Sequence, residues 1–236
     1  MRSNLKSRAF NALNLGQYSV DTVPDKIKEI HLVSPQERQY ILRMLIKKSF
    51  GEFQIPEGYS WVTPMLEVVV EHQKHIGIRH PFCYLTIRSG EVISENDDEW
   101  HVDGFSLNIS HLPEQNYIWS DVCGTEYSEQ TFYIPRDFDG RRHNLHKYLG
   151  ALVDKRFVKK CEEKVVYGLD PYTVHRRPKE CKGVVRTFVR ISFTPIEIDD
   201  VNNTYNPLLH TAYKRDGVKD FRDGLEEYKV IRDLAQ

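Results

Sequence analysis

The chain lacks a dominant sign of charge: 33 lysines and arginines stand against 34 aspartates and glutamates over 236 residues. A polybasic nucleic-acid binder draws its affinity from a large positive excess, so a duplex nucleic-acid partner is not expected. Long apolar runs are missing too. The uninterrupted apolar stretches are a few residues each, far short of the roughly 20 needed to cross a bilayer, and the N-terminal MRSNLKSRAF carries no apolar signal core. A membrane-spanning or ordinarily secreted protein is therefore not expected, and the cytoplasm is the expected compartment. Cysteine is scarce: Cys83, Cys123, Cys161 and Cys181 form no CxxC pair and fit no zinc framework. Four scattered thiols in a chain of this length read as reduced and structural. Repeats and low-complexity segments are lacking as well. Aromatic rings, in contrast, are plentiful: 13 tyrosines and 11 phenylalanines can build a sizeable core although hydrophobic residues make up only 40 % of the chain.

The pattern along the chain predicts helices first and short strands later. Residues 1–30 are polar and rich in breakers. Ser34-Pro35-Gln36-Glu37 resembles a capping box opening a helix, with Ile41, Leu42, Leu45 and Ile46 as its apolar stripe to about Phe50. Thr63-Pro64 opens a second helix, with Met65, Leu66, Val69 and Val70 apolar, ending near Gly77. Strands are expected over 82–88, 99–108, 116–120 and 128–135. A long helix is expected over 143–163, then strands over 164–167, 173–175 and 184–198, and a charged helical tail over 218–234. Helices followed by seven or eight short strands point to α+β, with the strands closing into a jelly-roll, cupin-like barrel over about 80–198. One domain is expected over 1–236, with helical additions at 1–79 and 199–236.

Chemistry is concentrated around Trp100-His101-Val102-Asp103-Gly104-Phe105. On a strand, residues i and i+2 point to one face, so His101 and Asp103 project together. His175 stands on a second predicted strand, 74 residues beyond His101. Two imidazoles and one carboxylate make the facial triad that leaves open positions on a non-haem Fe(II). On the predicted strand after it, Arg186, Phe188, Arg190 and Ser192 share one face. Arginines on the inner face of a barrel are costly unless they bind anions, and their fork matches a carboxylate.

In these residues the sequence resembles the Fe(II)/2-oxoglutarate-dependent dioxygenases, the double-stranded β-helix oxygenases. Their pattern is HxD, a distal histidine, and an arginine some 9 to 15 residues later. His101, Asp103 and His175 match it, with Arg186 eleven and Arg190 fifteen residues after His175. The resemblance implies Fe(II) on His101, Asp103 and His175, 2-oxoglutarate and O2 as cosubstrates, and release of succinate and CO2. Hydroxylation of an unactivated C–H bond of a small metabolite is the implied outcome, and Asp103 argues against a halogenating branch. By analogy with the taurine type, Arg186 is the preferred partner of the 2-oxoglutarate 5-carboxylate, leaving Arg190 for an anionic substrate. The Arg190-Ile191-Ser192 tripeptide also resembles the RxS of the penicillin-synthesising branch, which would give Arg190 the cosubstrate and Ser192 a supporting hydroxyl.

Other candidates follow from position. Asn116, Tyr117 and Trp119 lie on the strand after the HxD loop, where the family places a polar group against 2-oxoglutarate; Asn116 and Tyr117 alternate, so only one of them faces inward. Arg88, near Tyr84 and Thr86, is a substrate contact or a surface residue. His143 and His146 sit at helical spacing without a carboxylate. Arg176-Arg177 and Asp199-Asp200 read as solvated turns, the arginines close enough to His175 to reach the mouth. A buried Arg190 needs either an anionic substrate or a protein acid such as Asp121 or Glu129. Two other functions fit part of the pattern. A non-catalytic cupin-like metal- or ligand-binding barrel explains the triad but not the matched arginine. An oxygenase acting on a protein or a single nucleotide would leave the same motif.

Overall fold

The computed structural model describes residues 18–20, 23–33, 37–49, 51–93, 97–103, 114–135, 138, 142–198, 200 and 202–209. Among them are eleven strands: β1 (Tyr18–Val20), β2 (Asp25–Glu29), β3 (Gln39–Lys47), β4 (Phe82–Glu91), β5 (Gln115–Ser120), β6 (Glu126–Ser128), β7 (Phe132–Ile134), β8 (Val158–Lys160), β9 (Val165–Leu169), β10 (His175–Arg176) and β11 (Val185–Thr194). Two α-helices accompany them, α1 (Thr63–Ile76) and α2 (Leu145–Leu152). The protein is mostly antiparallel β-sheet with few helices. No helix among the described residues is long and apolar enough to cross a membrane. Residues 1–17, the proposed cap at 34–36, the strand beyond Asp103, Asp199 and the tail helix at 218–234 lie outside the described residues.

The pairing has a simple rule. Eight segments count in chain order as β4, the His101 segment, β5, β6, β8, β9, β10 and β11. The first pairs with the eighth, the second with the seventh, the third with the sixth and the fourth with the fifth, all antiparallel. With β7 set apart in a pair with β1, the segments from β4 to β11 among the described residues thus follow one long hairpin. Its arms are then joined sideways, β11 to β5 and β10 to β6, which distributes the pairs between two sheets. The larger runs β2-β9-β5-β11-β4-β3, the smaller β10-β6-β8 with the His101 bridge at its edge.

Period-2 alternation decides what each face does. From the large sheet, Cys83, Leu85, Ile87, Tyr117, Trp119, Val189, Ile191 and Phe193 form one buried core with Val62, Met65, Leu66 and Val69 of the α1 region. Helix α1 begins and ends as its sequence predicts, with Pro64 in its first turn and Gly77 in the left-handed conformation (φ 68°) that closes it. On the other side, Trp100, Val102 and Val174 pack with Phe132, Ile134, Tyr148 and Leu149. Their alternates are His101, Asp103 and His175, which leaves those three for the space between the sheets.

Two predicted helices are corrected. The apolar stripe from Ile41 to Ile46 belongs to strand β3, not a helix. Register shifts between Ile41 and Met44 and between Leu45 and Lys47, with Arg43 at positive φ (42°), insert extra residues into the pairing with β4. Bulges of this kind break strict alternation and give apolar residues a spacing that imitates a helix. The predicted helix over 143–163 stops at Leu152. Gln130 ends it: its Nε2 donates to the Leu152 carbonyl (2.9 Å), and its Oε1 accepts from the Asp154 N–H (2.7 Å). Phe157 and Val158 then enter a 3-10 turn and β8, which pairs with β6. The last long strand also ends at Thr194, short of Ile198.

Gly124 is fixed by close approach. A Cβ there would lie 1.8 Å from the Cys161 carbonyl oxygen, beside the bond from Cys161 N–H to the Thr125 carbonyl (2.8 Å). Gly124→Ala is expected to destabilise the fold by about 3 kcal/mol, the upper end of overpacking costs, because backbone rather than a flexible side chain must move. Urea denaturation measures it; an unchanged midpoint would mean that the two loops part without cost.

Candidate active site

His101 and His175 face each other across a hydrogen-bonded antiparallel pair, each donating its N–H to the other's carbonyl at 2.9 Å. Residues opposed in this way present their side chains on one face, and the ring centroids are 4.5 Å apart. Asp103, two residues past His101, completes the group. One ligand atom from each of the three lies within 4.8 Å of the others.

The ring orientations are set by the backbone. His101 Nδ1–H donates to the Glu99 carbonyl (2.7 Å), and His175 Nδ1–H donates to the Thr173 carbonyl (2.8 Å). A carbonyl only accepts, so Nδ1 carries the proton in the neutral form of each ring and Nε2 is the atom turned to the site, that of His175 standing 3.5 Å from Asp103 Oδ2. This is the support that metal-ligating histidines ordinarily have. Burial, followed by the neighbouring His175 ring, pushes the His101 imidazole down to about 3, which keeps it neutral. Burial alone would raise the Asp103 carboxyl, but Arg190, His175 and His101 together hold it well below the usual carboxylate range.

One pocket contains this group, and its walls are rich in arginine. His101, Asp103, His175, Arg88, Arg186 and Arg190 all line it. Arg190 Nη1 donates to Asp103 Oδ2. That pairing supplies the acid expected from Asp121 or Glu129, which is Asp103 itself, so the Arg190 Nη1 is not held open for an anionic substrate. Arg186 is different. Its Nε donates to the Val122 carbonyl (3.1 Å), and its guanidinium lies 4.9 Å from the Phe188 ring centre. Its Nη2 is buried with no acceptor, and among the described residues no carboxylate forms an ion pair with it. Across the sheet Arg186 faces Gly90, so no side chain covers it from β4.

Other expected residues divide by face. Ser192 Oγ donates to Asn116 Oδ1 (2.5 Å) on the inward side. Tyr117 is corrected: it belongs to the α1 core, where its hydroxyl accepts from Gln73 Nε2 (2.8 Å) and bonds His72 Nδ1 (2.9 Å). Trp119 lies there too, its Nε1 donating to the Ile30 carbonyl (3.2 Å). Tyr117→Phe is therefore expected to orphan its buried partners at a cost of about 1–3 kcal/mol, read as a lowered urea midpoint; an unchanged midpoint would show that the hydroxyl contributes nothing to the α1 core.

Arg176 and Arg177 are not solvated turns. Arg176 Nε donates to Glu126 (2.6 Å) and its guanidinium lies 4.5 Å from the Trp100 ring centre; Arg177 is buried and pairs with Asp98 (2.8 Å). The Asp97-Asp98 run before Trp100-His101 is the acidic signal that sequence reasoning passed over. It also passed over Glu114, whose carboxyl is raised by burial and by the Asp103 charge. Arg88 pairs with Asp97. Burial, then the Arg190 and Arg177 charges, push its guanidinium below the usual arginine range. His146 lies beside His101, ring centres 5.7 Å apart, outside the three-residue group. All four cysteines are free, Cys123 alone of them partly exposed.

The donor set fits Fe(II): two Nε2 atoms on rings anchored by backbone carbonyls, and a carboxylate held by Arg190. The orphaned Arg186 Nη2 is a donor suited to an anionic oxygen. No family model matches the chain, and no curated protein matches it. Among solved structures, the chain is similar to the crystal structure of an oxidoreductase of the 2OG-Fe(II) oxygenase family from Burkholderia pseudomallei. The identity is 9 % and the TM-score 0.31, covering 84 % of this chain and 93 % of that one. A likeness at that score carries no argument.

Proposed function

We propose that the chain is a non-haem Fe(II)/2-oxoglutarate-dependent oxygenase on a double-stranded β-helix, hydroxylating a C–H bond of a small molecule. One observation carries this: the His101–Asp103–His175 group shares its pocket with a buried arginine, Arg186, whose Nη2 has no acceptor. A metal-storing or purely structural barrel explains the first half of that statement and not the second. The fold name is supported by the pairing rule: seven strands and the His101 bridge, joined n to 9−n and divided between two sheets, follow the pairing order of a jelly roll.

His101 Nε2, Asp103 and His175 Nε2 would hold the metal, and Arg186 would hold the 5-carboxylate of 2-oxoglutarate. Bound together, iron and 2-oxoglutarate would use O2 to supply oxidative decarboxylation to succinate and CO2, one oxygen atom entering succinate and the other the C–H bond. The chain's own part is positioning. The Glu99 and Thr173 carbonyls fix the two rings. Arg190 fixes Asp103 and keeps it ionised. The Val122 carbonyl and the Phe188 ring hold the Arg186 fork in one plane, which reduces the entropy lost on gripping a carboxylate. Phe188 and Ile118 add apolar wall that limits water. The test is a screen for compounds that stimulate succinate release from 2-oxoglutarate, with Fe(II) present and with it chelated. Stimulation that needs iron supports the proposal; binding of iron with no succinate under any compound favours the non-catalytic barrel.

A further inference from the structure

With Arg186 given to the cosubstrate, two guanidinium donors on the same pocket wall still have no acceptor. Arg88 on β4 and Arg190 on β11 are diagonal neighbours on the inward face: Arg88 stands opposite Phe188, and Arg190 opposite Thr86. Diagonal neighbours of this kind lie within reach of long side chains. Each commits its Nη1 to a protein carboxylate, Arg88 to Asp97 and Arg190 to Asp103. Each keeps its Nε buried and unpartnered. A buried charged donor without an acceptor is among the more costly defects in a fold, and two of them lining one pocket call for an acceptor there.

The surroundings select the kind of acceptor. Arg38, Arg176 and Arg177 line the same pocket, so with Arg88 and Arg190 five guanidiniums besides Arg186 bound the cavity, against the carboxylates of Glu91, Asp97 and Asp103. The Asp103 charge is shared with the metal under the proposed function and is only partly available to Arg190. A neutral carbonyl would satisfy the hydrogen bonds and leave the repulsion between the arginines; an anionic oxygen answers both. The shape is set by aromatic rings. Tyr40 on β3 pairs across to Arg88, which lies 6.0 Å from its ring centre, and Phe188 stands on the opposite side.

We propose that Arg88, with the Nε edge of Arg190 beside it, is the receptor for an anionic group on the substrate, a carboxylate or a phosphate monoester. This rests on the oxygenase reading for calling the bound molecule a substrate; the anion subsite itself does not.

The test is calorimetric titration of sodium sulfate and, separately, sodium acetate into protein held anaerobically with Fe(II) chloride and saturating 2-oxoglutarate. Sulfate stands in for a phosphate ester without precipitating iron, and acetate for a carboxylate. Wild type is expected to bind at least one of them. Arg88→Gln and Arg88→Lys should each weaken that binding at least tenfold, lysine because it keeps the charge and loses the Nε edge. Circular dichroism checks folding, since Arg88 also pairs with Asp97. Should both variants misfold, Tyr40→Ala, at an exposed position, is expected to weaken anion binding about two- to fivefold by removing the ring beside the guanidinium. No binding in wild type, equal affinity in the variants, or binding that vanishes once 2-oxoglutarate saturates would each overturn the proposal. If 2-oxoglutarate fails to bind while sulfate still binds metal-free protein in an Arg88-dependent way, the oxygenase reading falls and the anion subsite stands.

Discussion

His175→Ala is expected to abolish iron-dependent turnover. Losing a hydrogen bond that merely supports a metal ligand costs about 10- to 100-fold in affinity or activity. Removing the ligand should cost more, and succinate release should fall to the rate without iron. His101→Ala should behave alike, because both rings present Nε2 from backbone-anchored Nδ1 atoms on paired strands. Asp103→Ala should lose activity too, but it differs in stability. Asp103 is the only carboxylate that pairs with Arg190 among the described residues. Its removal leaves a buried guanidinium unpaired, at about 3–5 kcal/mol. The histidine variants break no ion pair of that strength and should lose only about 1 kcal/mol. Urea melts of metal-free protein separate the two cases. If Asp103→Ala is as stable as His101→Ala, the Arg190–Asp103 pair contributes little.

Arg186→Ala is expected to raise the 2-oxoglutarate requirement steeply. Truncating one member of a buried charge pair costs roughly 2 to 5 kcal/mol, or about 30- to several-thousand-fold in KM. Fe(II) affinity should hardly change, since Arg186 touches neither histidine nor Asp103 in any hydrogen bond described. Arg190→Ala should act otherwise, releasing Asp103 and loosening the coupling of decarboxylation to substrate oxidation. Loss of 2-oxoglutarate binding in Arg190→Ala alone, with Arg186→Ala near wild type, would exchange the two roles.

Much of the site was legible because its logic is local. The HxD spacing, the alternation along β11 and the helix between Thr63 and Gly77 depend on residues near one another in sequence. What escaped reading depended on distant partners. The β3 stripe looked helical because two bulges, set by pairing with β4, shifted its apolar residues off strict alternation. The long helix was overextended because its stop signal is Gln130, 22 residues before Leu152. Arg190 looked partnerless because its acid is the same Asp103 already given to the metal. Arg176 and Arg177 looked solvated because their partners, Glu126 and Asp98, lie 50 and 79 residues away. Tyr117 was half legible: alternation said that it and Asn116 face opposite ways, but not which way is inward.

The central claim is that one pocket binds iron and 2-oxoglutarate together. Its most direct test is anaerobic addition of Fe(II) and then 2-oxoglutarate to the protein, followed by visible absorption. A charge-transfer band that needs both components, saturates at one equivalent of each, and disappears in His175→Ala is the predicted result. Absence of the band in wild type, or an undiminished band in His175→Ala, would contradict the account.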